Sequence, residues 1–338
     1  MIVVKLFIKN AMILFMWYPL RMMITFLPLA LSARIGRLGG RLLRLLSREK
    51  QRVMIDEFRR VLPGRSENDL RLIVRESFIN YCLSELEILL YPSMDRAYIN
   101  RVFTIEGREH LDAALAKGKG VLLCQAHFGA FQMTMPAIGY TGYTMNQISA
   151  SAAVWKEGGA SASQSRMFDI KARYEHTLPV KHISITSSLR PVFNALKKNE
   201  IVGITVDGGG GKKVVPFRFL GREALYQTGA VDLAISTGAA MVPAFVITES
   251  GLRHRLVLHA PLRMDGEKDT VRRAALQEFA ALLESYVQRY PHHYGYTLCL
   301  RRQRAAIDKY PFFTDYPESG EPTGNQSLKK VTSHAQTQ

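Results

Sequence analysis

The chain has 338 residues, 47% of them apolar and 22% charged, and its 45 Lys and Arg against 29 Asp and Glu give a net charge of +16. These proportions exclude a disordered, collagen-like or multi-span membrane chain and allow one large or two smaller globular domains. Cys82, Cys124 and Cys299 lie far apart, without zinc-knuckle or disulfide-framework spacing, so no structural metal and no disulfide set is expected, and a reducing compartment fits best.

Charge and apolar residues concentrate at the start. Residues 1–60 hold twelve Lys and Arg against three acids, Glu49, Asp56 and Glu57. Ala11 to Leu31 is the most apolar stretch, interrupted by Pro19, Arg21, Pro28 and a few polar residues, and it is about one bilayer thickness of helix. It is too long for a signal-peptide core and lacks a small-residue cleavage site, so it predicts a hydrophobic anchor helix. Proline and Arg21 leave open whether the anchor spans a membrane or dips into one leaflet. Arg34, Arg37, Arg41, Arg44 and Arg48 then recur every three or four residues among Leu38, Leu42, Leu43, Leu45 and Leu46. That pattern predicts a basic amphipathic helix for anionic headgroups. A basic patch alone does not distinguish lipid from nucleic-acid phosphates, but the adjoining apolar segment decides for a membrane and against nucleic acid. By the positive-inside tendency the Arg-rich flank and the domain after it face the cytoplasm.

Ser66 and Asp69 form a capping-box-like opening to a helix running to Pro92. Beyond it, apolar strand-like runs at Val121–Cys124, Ile201–Val206, Met241–Thr248 and Leu256–Leu258 alternate with helical patterns. These are Glu109–Lys117, Phe128–Ile138, Ser187–Lys198, Ala230–Thr237 and Val271–Arg289. The alternation predicts an α/β fold with a central, largely parallel sheet flanked by helices. The expected organisation is an anchor and basic helix over 1–48, an α/β domain over 49–313, and a disordered polar tail over 314–338.

Function in open α/β sheets collects beyond the carboxyl ends of strands, and two such loops stand out. In the first, Val121–Gln125 runs into Ala126-His127-Phe128-Gly129, an imidazole before a tight glycine turn. In the second, Ile204-Thr205-Val206 ends in Asp207, then Gly208, Gly209, Gly210 and Gly211, then Lys212 and Lys213. A phosphate-loop reading fails, because Val206 stands where the first glycine belongs and Lys213 where Ser or Thr is needed. Exposed glycine amides beside two lysines still suit an anion.

The chain resembles the bacterial lipid A biosynthesis acyltransferases, the late lauroyl and myristoyl transferases, and their relatives that acylate phosphatidylinositol mannosides and other glycolipids. The resemblance runs from the N-terminal apolar segment to about Arg304. It rests on Phe103-Thr104-Ile105-Glu106-Gly107, Ala126-His127-Phe128-Gly129, Val206-Asp207, Val215-Pro216-Phe217-Arg218-Phe219-Leu220-Gly221 and Tyr290-Pro291-His292-His293-Tyr294-Gly295-Tyr296. It implies a glycerolipid acyltransferase-like fold at the cytoplasmic face of the inner membrane. The implied reaction moves a fatty acyl group from a carrier thioester, on acyl carrier protein or coenzyme A, to a hydroxyl of a lipid A-like glycolipid, with no cofactor, metal or acyl-enzyme.

A hydroxyl is a poor nucleophile at neutral pH, so a base must take its proton, and His127 is the expected base. In the family an acid five residues on orients the imidazole; here that position is Gln132. The family's Asp-Gln pair is Asp207-Gly208, and its Arg after the third strand has no counterpart in Asn146–Ala153. Three outcomes stay open: Asp207 supplies the missing charge if the two loops meet, Gln132 assists a slower His127, or the chain keeps only lipid or acyl-carrier binding. Lys212, Lys213, Arg218 and Arg222 are expected as a basic rim for an acidic carrier or a substrate phosphate, with Gly208 and Gly209 beside them as substrate-binding residues that offer backbone N–H groups. Gly129, Phe128 and Phe131, with Met133 and Met135, are expected along an acyl groove, and His292 and His293 as residues that close a loop.

Overall fold

The computed structural model describes residues 2–157, 160–186, 188–208 and 213–316. The first helices are α1 (Ile2–Phe15), continued by a π turn over Met16–Leu20 into α2 (Arg21–Ile24), then α3 (Leu29–Leu46), α4 (Arg48–Val61), α5 (Glu67–Leu90) and α6 (Arg96–Val102). Next come β1 (Phe103–Glu106), α7 (Arg108–Leu115), β2 (Val121–Gln125), α8 (Thr134–Gly139), β3 (Met145–Ser149), α9 (Ala152–Glu157), α10 (Ala162–Glu175) and β4 (Val180–Ser184). After these lie α11 (Arg190–Lys197), β5 (Ile201–Thr205), β6 (Val214–Phe219), β7 (Arg222–Gln227) and α12 (Gly229–Thr237). The last are β8 (Ala240–Ser250), β9 (Arg253–Leu258), α13 (Lys268–Arg289) and α14 (Gly295–Arg304).

Seven strands form one sheet in the order β1-β9-β8-β2-β5-β3-β4. Every neighbouring pair is parallel except β8 and β9, which are antiparallel, so the sheet is largely but not wholly parallel. Strands covered on both faces need apolar residues on both, and alternate residues of β2 supply them. Leu122 and Cys124 enter the core beneath α12, α13 and α14, while Val121 and Leu123 enter the opposite one beneath α5 and α8. The Ser66–Asp69 capping box is present and α5 begins at Glu67, as the spacing predicts.

The apolar N-terminal stretch departs from the expected single helix. Thr25 to Pro28 break it, and no helix among the described residues is long and apolar enough to cross a membrane. Arg21, the charge inside the stretch, lies 5.5 Å from the Tyr174 ring centre on α10, and Asn10 accepts hydrogen bonds from Ser161 and Ser163. The N-terminal helices therefore lean on α10, with Trp17 and Ile24 buried and Phe7, Phe15, Met22, Met23 and Phe26 exposed, Phe26 to 87%.

Helix α3 seats itself by its smallest residues. Ser32, Ala33, Gly36 and Gly40 are buried, and a Cβ on Gly40 would lie 2.5 Å from the Ile79 Cα of α5. The leucines Leu31, Leu38, Leu42, Leu45 and Leu46 are exposed beside Arg34, Arg37 and Arg41. A leucine-rich helix normally buries its leucines; here backbone contact with α5 takes the inner side and turns them outward.

Strands β6 and β7 form a separate hairpin whose turn residues, Leu220 and Gly221, both have positive φ, as a two-residue hairpin turn requires. At the start of β7, Arg222 corrects the sequence expectation of a rim residue. Its side chain is 7% exposed and its Nη1 donates to Glu57 at 2.8 Å. Its Nε donates to Asp315, and its guanidinium carbon sits 3.8 Å from the Phe313 ring centre. Asp315 and the buried Tyr316 therefore belong to the folded body rather than to the polar tail expected from Thr314 onward; residues 317–338 lie outside the described residues. Arg222→Ala would take from the buried Glu57 carboxylate the cation at 2.8 Å, leaving it the Tyr316 hydroxyl at 3.1 Å and the more distant Arg302 at 3.9 Å. It is expected to cost about 3–5 kcal/mol in denaturant unfolding.

Candidate active site

The two strand-end loops meet, and the register of the sheet explains why. Strands β2 and β5 are parallel neighbours with Gln125 opposite Thr205. His127 and Asp207 each lie two residues further on, so they emerge side by side. The Asp207 carboxylate is fully buried and lies 2.8 Å from His127 Nδ1 through Oδ1. The backbone N–H of His127 donates to both carboxylate oxygens at 3.0 Å, and the Tyr294 hydroxyl donates to Oδ2 at 3.0 Å. Below these, Thr297 Oγ1 donates to the His127 carbonyl at 2.5 Å, and Arg301 donates to the Asp207 carbonyl.

Burial by itself would raise the Asp207 pKa. The charge of His127 and the hydrogen bonds from its ring and backbone, together with the charge of Arg301, outweigh that and hold the carboxyl below its ordinary value. An ionised carboxylate only accepts, so Nδ1 carries a proton, and in the neutral form of the ring the lone pair lies on Nε2. The imidazole side chain is 36% exposed, and among the described residues no hydrogen bond engages Nε2. Cys124, three residues earlier, is buried in β2 and burial pushes its thiol well up, so it offers no thiolate. Among the described residues no three His, Cys, Asp or Glu side chains gather as a metal would require.

Gly129 shapes the turn after His127. Its φ is +59°, and a Cβ there would fall 2.1 Å from the Val246 carbonyl oxygen. Its N–H donates to the His293 carbonyl, while His293 Nε2 accepts from the Thr248 N–H at 2.9 Å. Burial lowers the pKa of His293 well below the usual value, so the ring is neutral and acts as a wedge under the turn.

Other expected site residues fall elsewhere. Phe128 is 1% exposed and packs on Phe245, Tyr286 and His293, so it is core and not groove; Met133 and Met135 are buried too. The helix expected from Phe128 starts only with a 3₁₀ turn at Phe131, because Gly129 turns the chain first. Phe131 is half-buried, its ring centre 4.9 Å from that of His127. Gln132 is half-buried and makes no hydrogen bond to the imidazole; its backbone carbonyl accepts from the Tyr91 hydroxyl. Gly208 comes directly after Asp207, and Lys213 and Arg218 are exposed. Gly209 and Lys212 lie outside the described residues. Tyr294, which stands above only as part of the block Tyr290–Tyr296, and Thr297 and Arg301 are site residues to which sequence reasoning gives no role, and their spacing of three and four is a signal that could have found them.

A largely parallel sheet that presents a half-exposed His, backed by a buried Asp, at the ends of two central strands defines an α/β class built around a His–carboxylate pair. Residues 5–302 match the family described as bacterial lipid A biosynthesis acyltransferase, and the chain belongs to that family. It is also similar to two proteins named phosphatidylinositol mannoside acyltransferase. The one from Mycobacterium tuberculosis (strain CDC 1551 / Oshkosh) is 25% identical over 163 residues, 46% of this chain and 48% of the relative. The one from Mycolicibacterium smegmatis (strain ATCC 700084 / mc(2)155) is 23% identical over 218 residues, 63% of this chain and 68% of the relative. The match thus spans about half the length of the first relative and about two thirds of the second.

Proposed function

We propose that the chain is a membrane-associated O-acyltransferase that moves a fatty acyl group from a thioester, on acyl carrier protein or coenzyme A, to a hydroxyl of a glycolipid. The observation that carries this reading is the half-exposed His127 with its Nδ1 held by the buried Asp207. His127 Nε2 takes the proton of the acceptor hydroxyl as its oxygen attacks the thioester carbonyl. The tetrahedral adduct then expels the thiolate, which takes the proton back from the imidazolium. Products are the ester and the free thiol. Asp207 offsets the imidazolium charge while it lasts, the role the family gives to the residue at the position of Gln132.

Support for a membrane setting comes from the outward Leu and Arg residues of α3 and the exposed Phe and Met side chains of α1 and α2. This fits a helix array lying in one leaflet at the cytoplasmic face of the inner membrane. Lys213 and Arg218, both exposed, are proposed to meet the acidic carrier or a substrate phosphate.

The purified protein, mixed with labelled acyl carrier protein or acyl-coenzyme A and a bacterial glycolipid extract, is expected to yield a new acylated lipid. If it binds vesicles but leaves both thioesters intact, the reading of a catalytically degenerate lipid- or carrier-binding member replaces this one. Gln132→Glu is expected to change the rate by less than about tenfold, since a partly solvated charge out of contact with the ring adds little to what Asp207 supplies. A gain of about a hundredfold would return the orienting role to that position.

A further inference from the structure

We propose that one face of helix α14 is a positioning device that sets the geometry and the tautomer of the His127–Asp207 pair. The inference rests on the acyl-transfer reading for its rate effects, but not for its structural content.

Tyr294 is the N-cap residue at which α14 begins, and Thr297 and Arg301 follow it at three and four residues, so the three project from one side at this end of the helix. All three are buried or nearly so, and each grips one of the two loops. Thr297 holds the main chain of His127 through its carbonyl oxygen. Arg301 holds the main chain of Asp207 through its own carbonyl oxygen, at the point where the glycine run begins. Tyr294 holds the Asp207 side chain. Its hydroxyl fills Oδ2, which leaves Oδ1 aimed at Nδ1. A carboxylate tied down at one oxygen cannot swing away from the ring, and the ring cannot exchange its Nδ1 proton for one on Nε2 without losing that bond. The face thus fixes both the distance and the direction of the lone pair on Nε2.

The helix is itself anchored for this task. Gly295 packs so tightly on α5 that a Cβ would fall 2.3 Å from Ser77 Oγ. Tyr296 stacks on Tyr81 of the same helix with ring centres 3.9 Å apart. On the other side the Arg301 guanidinium lies 5.1 Å from the Phe312 ring centre, wedged between that ring and the Asp207 loop. The charge of Arg301 also helps keep Asp207 ionised.

The full chain carrying Tyr294→Phe, Arg301→Gln or Arg301→Lys tests this in two arms. In the kinetic arm, Tyr294→Phe and Arg301→Gln are expected to lower kcat by about ten- to a hundredfold, the worth of one hydrogen bond to a charged or buried partner, with KM within about twofold. Arg301→Lys keeps the charge and a donor and is expected to recover most of the loss. In the spectroscopic arm, ¹⁵N NMR of the His127 ring is expected to show Nδ1 protonated in the wild type and a mixture of tautomers in Tyr294→Phe. An unchanged tautomer in Tyr294→Phe overturns the proposal, as does a fall in KM and kcat that Arg301→Lys does not relieve. Because the NMR arm needs no substrate, a wild type without acyl transfer would overturn the functional reading while leaving this one to be judged on its own.

Discussion

Replacing Asp207 by Asn is expected to lower the acyl-transfer rate by about 10⁴, the scale of loss when the acid of a Ser-His-Asp triad becomes its amide. An amide has one accepting oxygen where the carboxylate has two. In the native structure both oxygens are occupied, Oδ1 by the ring and the backbone N–H of His127, Oδ2 by that same N–H and by Tyr294. If the Asn oxygen faces Nδ1, the tautomer survives but the charge that offsets an imidazolium is gone. If the NH₂ group faces Nδ1, the ring must present its lone pair there and its proton at Nε2, where it cannot act as a base. Either way the rate falls, and kcat at saturating donor, with circular dichroism to confirm the fold, measures it. A variant within about tenfold of wild type would remove Asp207 from the mechanism.

The same substitution changes stability with a definite sign. The Asp207 carboxyl titrates lower in the folded chain than in the unfolded one. Its ionised form therefore adds stability above the ordinary carboxylate range, and that contribution is lost as pH falls through the lowered folded value. Asp207→Asn cannot titrate, so its unfolding free energy is expected to fall less steeply over that acidic window than that of the wild type.

His127→Ala is expected to abolish transfer to a comparable extent, and the double variant His127→Ala/Asp207→Asn to fall no further. Groups that act as one unit lose nearly everything when either is removed. The fold has a specific reason to survive the loss. The buried Asp207 carboxylate keeps two donors in His127→Ala, the backbone N–H of residue 127 and the Tyr294 hydroxyl. The chain is thus expected to stay folded while kcat collapses, although Asp207 loses the charge and ring hydrogen bond of His127 and some thermal stability goes with them. Additive losses in the double variant would show that the two residues serve separate purposes.

Legibility in the sequence depends on which signals are local. Strands β2, β5 and β8 show as uninterrupted apolar runs because both of their faces are covered. Strands β1, β3 and β4 are five residues or fewer and carry Thr104 and Glu106, Asn146 and Gln147, or Lys181 and His182, so no apolar run marks them. His127 and Asp207 are each readable as strand-end residues. Their meeting is not, because it depends on β5 returning to lie between β2 and β3, and no local pattern encodes strand order. Gln132 draws attention because the family places its acid five residues after the His; here the chain turns at the left-handed Gly129, and the Gln132 side chain makes no hydrogen bond to the imidazole. Arg222 reads by its charge as a surface cation, and charge alone does not reveal that Glu57, 165 positions earlier, waits in the interior to receive it.

The backbone contact between α3 and α5 sets a condition on how this molecule can be handled. Gly40 leaves no room for even a methyl group between the two helices, so the leucines of α3 have no inward position to retreat to. In plain buffer they must stay wetted, cover one another between copies, or take up amphiphile. Solubility on isolation should accordingly track detergent concentration more than ionic strength, and clumping should begin at this ridge while the sheet behind it remains intact.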